Sequence, residues 1–344
     1  MNQIKSVPVP ADVESKFKAF LKDLGIEDKT GFHQSLLREQ WKLNRDGTSP
    51  AEMRLFHRVV REMRYANKVF MPYRHIKKLC IFGSARTPSH KREAVSSHDF
   101  AKLMTNANFM TITGGGDGIM GAAQAGAGKE HSFGLNITLP FEQHANEVID
   151  GDPKLINFHY FFTRKLFFLR ESHAVALFPG GFGTMDEGFE ALTLIQTGKA
   201  RVIPLVMVDA PGGNFWKTFD HYIREHIYAD GLISKEDFNL YKITDNLEEA
   251  RKEIVNFYYN FHSYRYVKDH LVIRTQREVP PGALKRLQED FEDILLPGST
   301  MQQRQAFPEE SNEPEIAHLP RLVMNFNRRA TGRLRQLIDR LNDF

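Results

Sequence analysis

A short apolar run, His173-Ala174-Val175-Ala176-Leu177-Phe178, stops at Pro179-Gly180-Gly181-Phe182-Gly183-Thr184-Met185-Asp186-Glu187 and gives way to Gly188-Phe189-Glu190-Ala191-Leu192-Thr193-Leu194-Ile195-Gln196. The first run reads as a buried strand and the last as a helix, so the glycine-rich segment is the turn between them. Glycines let a backbone approach an anion closely, and the start of a helix points free N–H groups at it. A carboxylate, Glu187, is expected in the first turn of that helix. A plain phosphate site has no need of a negative charge so near. An anion cradle paired with an acid therefore predicts chemistry on a phosphorylated ligand.

Two further turns of this kind precede it. Ile81-Phe82-Gly83-Ser84-Ala85-Arg86 is a strand running into small residues, without the three-glycine dinucleotide fingerprint, so NAD is not expected. Thr113-Gly114-Gly115-Gly116-Asp117-Gly118-Ile119-Met120-Gly121 again ends a strand in glycines and opens a helix. It is no ATPase loop: Gly128-Lys129 is followed by Glu130, and Ala123 stands where the first Walker glycine belongs. One such turn is explained equally well by tight strand-to-helix packing; turns at successive strand ends point to a nucleotide or sugar phosphate. Arg164 and Lys165, in Phe161-Phe162-Thr163-Arg164-Lys165-Leu166, precede Glu187 by 23 and 22 positions. One helix and one strand return the chain to the same sheet edge, so Arg164 and Glu187 can face one ligand. The competing reading is a solvated basic helix face.

The strand candidates are Leu79–Gly83, Phe109–Thr113, Phe133–Thr138, Ala174–Phe178, Val202–Val208 and Leu240–Ile243, with helical stretches between most of them. That alternation predicts an α/β fold, a parallel sheet covered by helices on both faces, with ligands beyond the carboxyl ends of the strands. Residues 1–75 read as a helical extension, with Phe17, Phe20, Leu21 and Leu24, and then Leu55, Val59, Val60 and Met63, at helical spacing. The α/β region is expected over 76–264, closing with a helix Leu247–Phe261. Residues 265–344 read as a small α+β appendage, with strands at His270–Arg274 and Arg321–Asn327, helices at Gly282–Leu295 and Thr331–Leu341, and a partly mobile Pro297–Pro320. A net charge of +3 gives no reason to invoke nucleic acid or membrane. The lone cysteine, Cys80, lies in an apolar strand; it fits a buried structural thiol and a cytoplasmic protein without disulfides. No stretch approaches a membrane span. His221 and His226, five apart, have the wrong spacing for one helical face, so no metal site is expected, and His57, His75 and His159 read as structural or exposed. The aromatic run Phe158–Phe162 is expected in the core.

These segments resemble the LOG family, Rossmann-like proteins once labelled lysine decarboxylases. The resemblance runs from about Ile76 to about Phe261 through FGSARTP, TGGGDGIM, GLNITLPFEQ, FHYFFTRKLFFLRESHAVALFPGGFGTMDE and FEALTLIQTGK, with the hallmark PGGxGTxxE complete from Pro179 to Glu187. It implies a nucleoside 5′-monophosphate phosphoribohydrolase, an activity that includes cytokinin activation, with Arg164 and Glu187 catalytic. Amides of Gly181, Gly183 and Thr184 with the Thr184 hydroxyl would hold the 5′-phosphate. Gly180, Lys165, Ser84 and the loop Gly114, Gly115, Gly116 and Gly118 would complete the nucleotide site. No metal or organic cofactor is implied, and Lys165 is a poor candidate for a pyridoxal lysine. Asp117, Gly121 and Gly188 depart from the residues common in the family, namely proline, glutamate and leucine. The extensions at both ends are similar to those of larger bacterial relatives acting on several nucleotides, and the family predicts at least a homodimer.

Two other readings compete. The same pocket would serve a nucleotide sensor without turnover, against which stands the presence of both Arg164 and Glu187. Arg328, Arg329, Arg333, Arg335 and Arg340 would serve nucleic-acid binding, against which stands an ordinary solvated face opposite Leu334, Leu337, Ile338 and Leu341.

Overall fold

The computed structural model describes residues 8–139 and 144–344; Pro140-Phe141-Glu142-Gln143, the end of the GLNITLPFEQ segment, lies outside the described residues. The chain divides into two compact units, Met1–Met63 and Arg64–Phe344. The first holds α1 (Ala11–Asp23), α2 (Phe32–Arg45) and most of α3 (Pro50–Phe70). Glu14 of α1 ties to Arg38 and Gln34 of α2. Of the apolar residues expected to form a helix seam here, Leu21 is buried, whereas Phe20, Leu24, Leu55 and Val60 remain exposed.

In the second unit come β1 (Lys77–Phe82), α4 (Arg92–Asn106), β2 (Phe109–Thr113), α5 (Ile119–Ala127), β3 (Ser132–Ile137), β4 (Leu155–Phe158), α6 (Phe161–Glu171), β5 (Ala174–Leu177), α7 (Phe182–Gln196), β6 (Leu205–Val208), α8 (Phe215–Tyr222), β7 (Lys242–Thr244) and α9 (Leu247–Phe257). The seven strands form one parallel sheet in the order β4-β3-β2-β1-β5-β6-β7. Alternation along β1 sends Leu79 and Ile81 to one face, where they join Phe100, Met104, Ile119, Val206 and Ile254 in the main core. Phe82 faces the other side, edge-on to Phe168 of α6 at 4.9 Å between centroids. Phe70 stacks on Phe133 and Phe167, and Phe158 packs tilted against Phe167, forming a further aromatic group. Cys80 is buried in the middle of β1.

The helix expected over Leu247–Phe261 stops at Phe257, because the chain turns at Asn260 and Phe261 opens the next strand. The Asn260 carboxamide donates to the Leu341 carbonyl and accepts from the Arg277 amide, contacts that outweigh helix propensity. A four-stranded antiparallel sheet follows: β8 (Phe261–Val267), β9 (His270–Thr275), then α10 (Pro281–Asp290), β10 (Gln302–Arg304) and β11 (Arg321–Met324), in the order β10-β11-β9-β8. Within Pro297–Pro320, Glu310 is buried between Arg274 and Arg321, which anchors this irregular stretch to the sheet. Finally α11 (Thr331–Leu341) buries Leu334, Leu337, Ile338 and Leu341. Arg335 is buried with them, not on a solvated face, and pairs with Glu253 and Asp339; Arg333 and Arg340 pair with Asp293 and Asp343. These arginines are engaged by carboxylates of the same chain.

Helices α4 and α5 touch most closely at Gly126, where a Cβ would overlap the backbone carbonyl of His98. Gly126→Ala is expected to destabilise the fold by about 1–3 kcal/mol, as overpacking against rigid backbone does. Gly282→Ala, at an open helical position, should not. Thermal unfolding followed by circular dichroism checks this: equal midpoints for the two variants would refute the close contact.

Candidate active site

The strand order places the site. From β1 the chain winds outward through β2, β3 and β4, and from β5 in the other direction through β6 and β7. Loops leaving β1 and β5 therefore diverge, and a crevice opens beyond their carboxyl ends. Gly83-Ser84-Ala85 and Phe178–Thr184 border it.

The turns are knitted together through one residue. The Ser84 N–H donates to the Pro179 carbonyl at 3.2 Å, and the Ser84 carbonyl accepts from the N–H of Ile119, the first residue of α5, at 3.0 Å. This approach is close enough to require glycine twice. At Gly118, with φ 64°, a Cβ would collide with the Ser84 carbonyl, and at Gly180 it would meet the Thr184 side chain and lie 2.9 Å from the Ser84 nitrogen. The Ser84 hydroxyl accepts from the Arg86 N–H at 3.1 Å. At the next strand end, Gly115 donates to the Thr113 hydroxyl at 3.0 Å. Asn146, buried, secures that loop: its carboxamide nitrogen donates to the carbonyls of Gly115 at 3.0 Å and Gly116 at 2.9 Å and to Gln124 Oε1 at 2.6 Å. Sequence reasoning missed Asn146, because a lone asparagine outside any motif carries no local signal.

Gly181 is the N-cap of α7, and no side chain caps it. The first amides of the helix, at Phe182, Gly183 and Thr184, thus lack intrahelical acceptors. Cβ positions at Gly181 and Gly183 face open space. Glu187 is the sixth residue of α7, so it stands in the second turn and not the first; no acid occupies the first turn. The helix begins earlier than the run from Gly188 suggested. Side chains on a helix lean back toward its start, and that lean returns the Glu187 carboxylate to the crevice.

Across from it, α6 supplies Arg164 and Lys165. Arg164 Nη2 lies 3.7 Å from Glu187 Oε1, and Lys165 Nζ lies 3.4 Å from Oε2. Glu187 is nearly buried, its side chain 10% exposed. Burial raises its carboxyl pKa, opposed by the charges of Lys165 and Arg164. Burial likewise lowers the pKa of Arg164. Its guanidinium lies over Phe161 at 4.9 Å and Phe168 at 5.4 Å, and its Nε has no hydrogen-bond partner among the described residues. Lys165 is held differently, by Asp186 at 2.8 Å and Glu190 at 2.7 Å as well as by Glu187. Burial would lower its pKa, but the hydrogen bonds from Asp186 and Glu190 and the Glu187 charge outweigh it and raise the pKa above the ordinary lysine value. A Schiff-base lysine requires the opposite shift.

The structure thus brings Arg164 and Lys165 to Glu187, and Ser84, Gly118, Gly180 and Thr184 into one knot, with Gly114, Gly115 and Gly116 in the neighbouring loop. The aromatic run is not all core: Phe158 is buried, but Phe161 and Phe162 are more than half exposed at the start of α6. Among the described residues no three His, Cys, Asp or Glu side chains converge as a metal site would need. No described helix is long and apolar enough to cross a membrane.

Fold and site together define a Rossmann-like α/β protein with a glycine-rich turn at an uncapped helix start and a buried acid–arginine pair. The family described as "Possible lysine decarboxylase" matches residues 120–254. A "Probable cytokinin riboside 5'-monophosphate phosphoribohydrolase" of Oryza sativa subsp. japonica is 25% identical over 180 residues, covering 51% of this chain and 74% of that protein. Similar solved structures include a molybdenum cofactor binding protein of Rippkaea orientalis (17% identity, 52% of this chain and 93% of that one, TM-score 0.35) and the molybdenum cofactor carrier protein of Chlamydomonas reinhardtii (18%, 51% and 93%, TM-score 0.36). Over residues 120–254 the chain thus matches that family, and its likeness to the rice protein agrees with the LOG resemblance of its motifs.

Because its folded pKa is raised, Glu187 favours the folded state in its protonated form. That contribution is present at low pH and is lost as pH rises through the folded pKa. Glu187→Gln is therefore expected to raise the unfolding midpoint at pH 8, with the gain shrinking as pH falls into the range where Glu187 protonates. Thermal melts of both proteins from pH 4.5 to 8 measure this; a variant less stable at pH 8 would contradict it.

Proposed function

We propose that this chain hydrolyses the N-glycosidic bond of a nucleoside 5′-monophosphate to the free base and ribose 5-phosphate. The observation that carries the reading is the buried Glu187 carboxylate, beside Arg164, one turn inside a helix whose first amides face an open glycine-lined crevice. Breaking this bond builds positive charge on the ribose ring. An ionised Glu187 near C1′ stabilises that charge and takes a proton from the attacking water; the departing base gains a proton in exchange. Amides at Gly181, Gly183 and Thr184, with the Thr184 hydroxyl, hold the 5′-phosphate, whose charge suits a helix start. Ser84 and the Gly114–Gly118 loop shape the ribose end. Arg164 supplies the cation for the phosphate, the ribose hydroxyls or the leaving base. AMP and N6-modified adenylates are the first candidates, since the rice relative carries a cytokinin riboside monophosphate in its name.

Incubation with AMP, GMP, CMP, UMP, IMP and an N6-substituted AMP, with adenosine and ATP as controls, should release base and ribose 5-phosphate from at least one monophosphate. Glu187→Gln should lower kcat by about 10²–10⁴-fold with monophosphate binding retained. The acidic limb of kcat/KM should fall above the ordinary glutamate range, as burial of Glu187 requires. Intact binding without base release from any of them would leave a nucleotide sensor in place of this reading.

We also infer a homodimer closing on this edge. Phe161, Phe162, Leu166 and Phe182 at the starts of α6 and α7 are 46–96% exposed, and clustered apolar surface of this kind marks an interface. Sedimentation should show a dimer that Phe182→Asp weakens; a monomeric parent protein would refute it.

A further inference from the structure

At the opposite edge of the parallel sheet lies a cavity of about 1180 Å³ that the nucleosidase reading does not use. Its floor is made by the amino ends of the central strands: Lys77 opens β1, His173 precedes β5, and Val202 and Ile203 lead into β6. Residues of β8 and β9, with the Asn312–Ile316 segment, form its wall. Five guanidinium and ammonium groups line it against two carboxylates, Glu313 and Glu315. Arg265 and Arg274 are already matched by Glu313, at 2.7 and 2.5 Å. Arg74, Lys77 and Arg201 have no carboxylate at ion-pair distance among the described residues; Lys77 instead lies 5.1 Å from the centre of the Tyr258 ring.

The imidazoles register the resulting field. Burial first, then the charges of Arg201, Lys78 and Lys77, push the His173 pKa down to about 3. Burial, then Arg274 and Lys77, lower that of His262. Concave walls concentrate a potential of one sign and draw in counter-ions. Tyr258 and Tyr264 are fixed by their own hydroxyls, the first donating to the His173 carbonyl and the second accepting from the Val202 N–H at 3.1 Å, so they hold the cavity open as rigid walls.

We propose that this cavity is a second ligand site, for a small soluble polyanion bearing two or more linked phosphates, with Arg74, Lys77 and Arg201 as the groups that bind it. Three cations without carboxylate partners favour a ligand of high negative charge, and the volume has room for a nucleotide-sized one. The hollow form suits a small molecule better than a nucleic-acid strand, which needs a continuous groove. Strands β1 and β5 start at this cavity and end at the Ser84 and Pro179 turns. They are the direct mechanical route by which an occupant would act on the crevice.

The test is titration calorimetry of the full chain with inorganic tripolyphosphate at about 0.1 M salt. Binding is expected in the parent protein and in Gly183→Asp, which places a carboxylate in the α7 cradle. The exposed double variant Lys77→Ala/Arg201→Ala should weaken it at least tenfold with an unchanged melting temperature, and Arg74→Glu, also on the surface, should weaken it independently. No binding, or equal binding in the Lys77/Arg201 variant and in Arg74→Glu, overturns the proposal. Loss in Gly183→Asp would assign the anion to the crevice and overturns it as well. So would a short oligonucleotide that binds and that tripolyphosphate does not displace.

Discussion

The crevice hangs on the backbone of Ser84. One peptide group on each side of this residue reaches a different strand–helix unit, Pro179 through the N–H and Ile119 through the carbonyl. A net hydrogen bond contributes only about 0.5–1.5 kcal/mol. Leaving these polar groups unpaired at the bottom of a crevice would cost more, so the turns have one arrangement that satisfies all of them. The glycines around the knot then divide into two kinds. Gly118 is there because the Ser84–Ala85 backbone occupies the place of a side chain, and Gly180 because the Thr184 side chain and the Ser84 nitrogen do, which is a packing requirement. Gly181 and Gly183 have nothing near the Cβ position, so packing does not explain them. Room for a ligand does. Tight packing thus accounts for some glycines of this turn and leaves open space at others.

Charge follows a similar division. Lys165 bridges a cluster of three carboxylates and is saturated by them. Arg164 has one long contact to Glu187, an unpaired Nε and two aromatic rings for support. Side by side in sequence, the two cations therefore differ in what they have left to give: the lysine holds Glu187 in place, and the arginine retains donors for a ligand. Glu187 itself is held where burial works against its charge. A fold selected for stability alone would place a neutral residue there, and such a conflict is a mark of a site kept for chemistry.

The strands that carry a motif were legible, because β1, β2 and β5 are short apolar runs ending in glycine. Strand β4 was not: Leu155–Phe158 alternates burial, includes Asn157, and is defined by pairing with β3, a long-range contact with no local signature. The boundary of α7 misled for a related reason. Glycine at two of the first seven positions looks like continued turn, yet the helix starts at Phe182, and this moved Glu187 from the first turn to the second. Exposure of Phe161 and Phe162 is invisible to composition, which counts any phenylalanine as core. Arg335 shows the reverse error, a charge read as surface that is buried because Glu253 and Asp339 lie opposite.

The parallel sheet explains why the chain presents charge at both of its edges. Every strand points the same way, so all its carboxyl ends, and the glycine turns that follow them, collect at one edge. The amino ends collect at the other, where Lys77 and Arg201 flank the central strands, Lys77 opening β1 and Arg201 lying just before β6, and the antiparallel sheet adds Arg265 and Arg274. The first edge carries free amides at helix starts; the second carries side-chain cations. Because β1 and β5 are only six and four residues long and buried apart from Lys77, a shift at one end has few ways to dissipate before it reaches the other. The strand order that sets the crevice between β1 and β5 thus also aligns it with the cavity behind, and the two regions share the same pair of strands as their common support.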